Sequence, residues 1–504
     1  MRRALRAINR ALGLAAAVGA LALAAASVPA DAAPARAKRD LVLEGALLEH
    51  IKVLASDEFD GREPGTEGEA KTLRYLGQQW FDAGLVSGTN DAGHPWFAPV
   101  KLVAREPAGS AAVFARKGRR IFVPQGAVLM LTSGQRALVE NAPLLFVGRA
   151  AGADQLARSE VAGRVVVLLD GGERDSERQN ALLKAGASAV LTVLDGDRTL
   201  AQVAARRRRT GYALASDALG GDLEGFIDGA VFDRLAGAAG TSLAALKGEA
   251  AAPAFVPRLL DLTATLEATT RETTIRTHNL IGKLEGRRPD LGAVLFMAHW
   301  DHFGQCAEPP AEHLICNGAI DNASGVAALT EVARRLSRQP QMDRDVYFVA
   351  TTAEELGLLG AEAFAENPPL PLKQIVAAFN IDTVAIAPAG TPFAIVGKGM
   401  TKLDPQIAAA ARASRRALVP GDEANIYIKR QDGWALLQHD VPAVMVTTAY
   451  GDLKHLEAFF DSDYHRPTDV VKPGIELGGA ADDVGFLVQL GRWFADAKRV
   501  PPGK

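Results

Sequence analysis

The feature that most constrains this chain is a set of short apolar runs, each of strand length, that end in acidic or histidine-bearing motifs. Residues 293–298 lead into His299-Trp300-Asp301-His302, residues 346–350 into Thr351-Thr352-Ala353-Glu354-Glu355, and residues 375–381 into Asp382-Thr383. Runs of this length, bounded by polar residues, suit strands covered on both faces, as in the interior of a parallel sheet. Helical patterns alternate with them: residues 325–336 repeat apolar side chains at helical spacing, with Arg334, Arg335 and Arg338 off the buried stripe. The alternation predicts an α/β fold, a doubly wound and mostly parallel sheet flanked by helices, whose ligands sit outside the carboxyl ends of the strands. The polar motifs fall at those ends.

Two further motifs complete the set: Asn317-Gly318-Ala319-Ile320-Asp321-Asn322-Ala323-Ser324-Gly325, and downstream Asp463-Tyr464-His465-Arg466-Pro467-Thr468-Asp469. Together they offer two histidines, two aspartates and a glutamate, donors that suit a borderline divalent cation such as zinc. Five ligands are too many for one tetrahedral ion, so two ions sharing a carboxylate fit better. Ions roughly 3.5–4 Å apart hold a water or hydroxide between them and polarise a substrate carbonyl, which predicts hydrolysis. Each motif also has a bland explanation. Glu354-Glu355 can charge a helix N-terminus favourably, and Asp321 can cap the helix that follows it. Five motifs in one order, each after the right kind of element, outweigh those explanations.

The motifs His299-Trp300-Asp301-His302, Asp321-Asn322-Ala323-Ser324-Gly325, Glu354-Glu355, Asn380-Ile381-Asp382 and Tyr464-His465 resemble the clan MH dizinc exopeptidases, the group of bacterial leucyl aminopeptidase and aminopeptidase Y. The resemblance implies one zinc on His299 and Asp382, a second on Glu355 and His465, and Asp321 bridging both. It implies that a bridging hydroxide is the nucleophile and Glu354 the general base that takes its proton and returns it to the leaving amine. It makes Asp301 the carboxylate that orients a ligating imidazole, and it makes the Asp321-Asn322 peptide bond cis. His302 is either a supporting residue or a loop histidine. Where relatives carry a serine-aspartate pair this chain has Gln431-Asp432, a departure that bears on local hydrogen bonding or specificity. Tyr450 and Tyr464 are candidates for donating to the tetrahedral oxyanion, or are packing residues.

The expected function is an aminopeptidase acting on peptide substrates. A carboxypeptidase or dipeptidase with the same metals is the alternative within the class, and Arg466 is the side chain to inspect as a carboxylate clamp. From other classes come a non-catalytic binding protein, which is expected to lose ligands that this chain keeps, and an acyl-transfer cyclase, which normally works with one zinc.

The length of 504 residues favours two or three domains, and 48% hydrophobic residues with a net charge of -3 describe a globular chain without the basic excess that nucleic acid attracts. Residues 1–32 read as a secretory signal peptide, with Arg2, Arg3, Arg6 and Arg10 before an apolar run and Ala30-Asp31-Ala32 as the cleavage site. Export to the periplasm or medium follows, with no stable membrane association after cleavage; an uncleaved anchor is the alternative. The two cysteines, Cys306 and Cys316, close the loop before Asp321 as a disulfide, or supply an extra metal ligand. Helices are expected near residues 47–54 and over 69–83, separated by a glycine-rich loop in which Arg62 and Glu63 are either solvated or brace the active-site rim. Strands at 144–147, 163–169 and 187–193, with a helix at 175–185, resemble an inserted protease-associated domain that covers one side of the cleft, or a purely structural insert. The peptidase domain is then expected over 40–125 and 265–500, with the insert over 126–264. Threonine-rich residues 263–278 read as a strand pair returning to the peptidase domain, residues 402–416 and 478–497 as helices, and 500–504 as a flexible tail.

Overall fold

The computed structural model describes residues 39–149, 156–171, 175–207, 209–217 and 221–501. The expected signal peptide and most of the expected tail lie outside these residues. The main sheet contains β1 (Phe97–Arg116), β2 (Val128–Leu131), β3 (Arg136–Phe146), β4 (Val165–Leu169), β5 (Ala189–Leu194) and β6 (Glu224–Asp228). It continues through β7 (Arg258–Leu284), β8 (Ala293–His299), β9 (Asp345–Thr351), β10 (Ile375–Asn380), β11 (Ala394–Val396) and β12 (Ala443–Thr447). Its order is β11-β12-β10-β8-β9-β7-β3-β4-β5-β6-β2, with β1 alongside β7.

Two blocks of four parallel strands flank one long antiparallel strand. On one side β12, β10, β8 and β9 run parallel. On the other β3, β4, β5 and β6 do the same. Strand β7 lies antiparallel to both β9 and β3. The central strands are apolar because helices cover both their faces: all seven residues of β8 and of β9 are buried. Helices α1 (Leu41–Leu54), α2 (Glu67–Asp82), α3 (Ser324–Ser337) and α4 (Gly478–Ala495) contribute Leu47, Trp80, Val332 and Leu487 to one core, which is centred on Phe296 between Phe348 and Phe379. Phe296 is fully buried, so truncating it to alanine removes about 3–5 kcal/mol. A separate core around Phe114, Phe146, Val167, Leu191 and Phe232 underlies the second block.

The sheet follows the sequence pattern with one correction. Residues 263–278 are not a strand pair but the middle of a single 27-residue strand, β7, which pairs with the 20-residue β1 for most of its length. A register shift between Thr269 and Thr270 absorbs the irregularity opposite Pro107 and Gly109 without ending the ladder. Arg207, from the arginine run 206–209, ends the helix Leu200–Arg207 with its guanidinium on Glu224 and Ser176.

Candidate metal centre

All five expected ligands come together at the carboxyl ends of the first parallel block. His299 is the last residue of β8, Glu354 and Glu355 follow β9, and Asp382 follows β10. Asp321 precedes α3, and His465 follows the helix Leu453–Ser462. The Asp321-Asn322 bond is cis, as the resemblance implied.

Asp321 divides its two oxygens between two groups of ligands. Oδ1 stands 3.3 Å from His299 Nε2, which lies 3.6 Å from Asp382 Oδ1. Oδ2 stands 3.3 Å from His465 Nε2, which lies 3.0 Å from Glu355 Oε2. Donor atoms of His299, Asp321 and Asp382 all lie within 4.8 Å of one another, as do those of His302, Asp321 and Glu355. A mixed nitrogen and oxygen donor set, arranged around one carboxylate that faces both ways, fits divalent cations. No lysine or arginine among the described residues forms an ion pair with Asp301, Asp321, Glu354, Glu355 or Asp382; their ion-pair partners are histidines.

The surrounding backbone is built to hold these side chains. His299 Nδ1 donates to the Asp301 carbonyl at 3.2 Å, which turns Nε2 towards Asp321 and Asp382. The Asp301 carboxylate is 3.7 Å from that nitrogen and instead accepts the amides of Glu354 (3.1 Å) and Glu355 (3.4 Å). Asp301 therefore aims the two glutamates as well as the imidazole. Asn322 bonds to Ile381 O and receives Gly325 N and Thr383 N, joining the Asp321 turn to the Asp382 strand end. Gly325 permits this: a Cβ there would stand 2.1 Å from Asn322 Oδ1 and 2.5 Å from Ile381 O. Ala353, Thr383 and His465 all have left-handed φ values, 53°, 54° and 56°, a conformation that ordinary residues keep only where their surroundings enforce it.

Burial and charge set the protonation tendencies. Burial, joined by Glu355, Asp382 and Asp432, pushes the Glu354 carboxyl well above its usual range, against the pull of His299. Burial lowers His299, but Glu354, Asp301, Asp321 and Asp382 outweigh it and raise the imidazole well above its ordinary value. His465 is raised to about 9, because its bonds to Asp321 and Glu355 exceed the opposing effect of burial. Burial carries Asp432 to about 7, with Asp301 and Asp382 acting in the same direction against His299 and Thr351. Asp432 accepts the Thr351 hydroxyl, and its other oxygen is buried with no hydrogen-bond partner.

Several residues take roles that the sequence did not separate. His302 is buried and bonds Glu355 Oε1 through Nδ1 at 2.6 Å, which makes it a support for that ligand. Asp469 accepts the amides of Ile320 (2.9 Å) and Asp321 (3.0 Å), clamping the turn before the cis bond. Gln431 receives Gly433 N at 2.8 Å, so the departure at this position serves local backbone capping. Tyr464 stacks on His465 with ring centroids 3.6 Å apart, a packing contact, while buried Tyr450 rests edge-on against Tyr427. Arg466 is exposed and donates to the carbonyls of Asp461 and Ser462 at a helix end. Cys306 and Cys316 are joined as a disulfide that closes the loop before Asp321.

A parallel sheet with a shared-carboxylate donor set at its strand ends is suited to holding divalent cations. Residues 279–482, which hold every expected ligand named above, match the model of peptidase family M28. The alkaline phosphatase isozyme conversion protein of Escherichia coli K12 is 30% identical over 128 residues, 23% of this chain and 36% of that protein. Aminopeptidase YwaD of Bacillus subtilis strain 168 is 41% identical over 68 residues, 13% of this chain and 15% of that protein. The matched stretches thus span little more than a third of those relatives at most. A solved aminopeptidase from Aneurinibacillus sp. strain AM-1 shares the fold, with a TM-score of 0.52 at 19% identity over 92% of this chain and 95% of that one.

Proposed function

We propose that the protein is an exported zinc aminopeptidase that removes N-terminal residues from peptides, using two zinc ions. The observation that carries this reading is the division of Asp321: one oxygen faces His299 and Asp382, the other His465 and Glu355. When bound, the ions supply Lewis acidity to the scissile carbonyl and lower the pKa of water at the site. Glu354, with its carboxyl raised by burial and by neighbouring acids, takes the proton of the attacking water and delivers it to the departing amine. Asp301 holds Glu354 in place through its amide, and His302 and Asp469 hold Glu355 and Asp321. Tyr450, buried against Tyr427, is the candidate donor for the developing oxyanion.

Amine rather than carboxylate recognition is supported by the tethering of Arg466 to the carbonyls of a helix end. Residues 1–32 serve as the signal for export. No described helix is long and apolar enough to cross a membrane. Residues 40–125 and 265–500 make the peptidase domain, and 126–264 a protease-associated insert that flanks the cleft.

The mature chain is expected to cleave leucine p-nitroanilide, to lose that activity with a chelator, and to regain it with zinc. Equal cleavage of the N-acetylated substrate rules out an aminopeptidase, and chelator-insensitive activity rules out the metal.

A further inference from the structure

Among the described residues two arginines are buried, Arg62 and Arg344, both with no measurable exposure. Neither is ion-paired, and each donates only to main-chain carbonyls. Arg344 bonds the carbonyls of Leu291, Phe494 and Val500, remote from the metal centre, and closes the far end of the sheet. Arg62 bonds the carbonyls of Leu54 (2.8 Å), Trp300 (2.8 Å), Asn317 (2.5 Å) and Gly318 (3.0 Å). Trp300 lies between His299 and Asp301, and Gly318 is three residues before Asp321. One guanidinium thus spans the backbone of two ligand-bearing segments.

The segment that delivers Arg62 is pressed against the site. Asp60, Gly61 and Arg62 take successive left-handed φ values of 45°, 62° and 55°. A Cβ on Gly61 would stand 2.6 Å from Cys316 O and 2.7 Å from Gly304 Cα, so the chain passes directly over the disulfide-closed hairpin. The Arg62 carbonyl in turn receives the His302 amide at 3.4 Å. Burial lowers the guanidinium to about 10, while Asp469, Asp301, Asp321 and Glu355 favour its charge.

We propose that Arg62 is a positioning residue for the metal centre, tying the loop after His299 to the turn before Asp321 and so setting the span that the shared carboxylate bridges. This rests on the zinc-pair reading given above. The task needs arginine. A planar fork with five N–H groups in fixed directions can hold three separate carbonyl segments at once, whereas a lysine ammonium is a point donor on a flexible stem.

Arg62→Lys and Arg344→Lys in the full mature chain separate this role from simple stabilisation. Zinc affinity is read by competition with a chromophoric chelator, alongside kcat and KM on leucine p-nitroanilide and the thermal midpoint. R62K is expected to bind zinc on the order of 10–100-fold more weakly and to lose a similar factor in kcat, with KM changed by less than about threefold. R344K is expected to keep wild-type zinc affinity and kcat whatever its midpoint. An R62K that behaves like R344K, less stable but with unchanged zinc affinity and kcat, overturns the proposal. Should R62K not fold, amide hydrogen exchange on the wild-type protein decides: zinc must slow exchange in residues 57–68 together with 300–321, and a segment 57–68 indifferent to zinc overturns it. A wild-type chain that takes up no zinc sinks the metal reading and this proposal with it.

Discussion

The two parallel blocks of the sheet share a device and use it in opposite ways. In both, strands end in acidic residues: Asp170 after β4, Asp195 after β5 and Asp228 at the end of β6, against Glu354 and Glu355 after β9 and Asp382 after β10. In the second block cations meet them. Arg198 contacts Asp170 and Asp175, Arg149 and Lys247 contact Asp195, and Asp228 caps the helix Gly229–Ala238. In the first block the acids face histidines and one another. An acid at a strand end is therefore no sign of a site by itself: cations or a helix cap take up those of the second block, whereas those of the first converge on shared histidines.

Four substitutions test that contrast. The largest effect is expected from Glu354→Gln, which keeps the shape and removes the proton carrier: kcat falls about 10²–10⁴-fold while bound zinc, measured by elemental analysis, is unchanged. Loss of zinc instead would make Glu354 a ligand. Asp301→Asn weakens the hold on Glu354, Glu355 and His299, and kcat should drop about 10–100-fold; wild-type kinetics here would mean the strand-end loop is rigid without it. In the second block Arg198→Met leaves Asp170 and Asp175 short of a partner. Urea unfolding should report a loss of about 1–3 kcal/mol, with kcat/KM untouched, and a kinetic defect would show that the two blocks are coupled.

The smallest effect concerns Asp483, an acid matched by neither cation nor imidazole. It accepts the Thr447 hydroxyl and the Thr448 amide, and burial raises it to about 7. The folded chain keeps a proton that the unfolded chain releases, so this group costs stability increasingly as pH rises from about 4 to about 7. Asp483→Asn removes the dependence. The urea midpoint of the variant relative to wild type should be higher at pH 8 than at pH 5, and an equal difference at both would refute the assignment.

Much of this was legible in the sequence because the expected ligands sit where short-range pattern changes. An apolar run such as Ala293–His299 announces both its strand and its end, and the polar residue at that end is conspicuous. The supporting residues leave no such trace. His302 meets Glu355 across 53 positions, and Arg62 meets its carbonyls across as many as 256, so their roles exist only once the chain has folded. Asp469 stood in a recognised motif, but a carboxylate that accepts two amides resembles a surface acid until the turn of Asp321 is beside it. The long strands β1 and β7 were obscured for a different reason. In β7 the alternation of buried and more exposed residues holds from Leu260 to Ala268 and then breaks at the exposed residues 271–274, so no single pattern runs its length.

That shared ribbon has a bearing on how the molecule can be dissected. Because β7 is hydrogen-bonded to β9 near one end and to β3 near the other, deleting residues 126–264 removes β3 together with the first seven residues of β7 and leaves bare amides and carbonyls along the Leu266–Thr269 edge. A trimmed peptidase of this kind should self-associate through that rim, and keeping it monomeric calls for charged or proline residues placed along the newly opened edge.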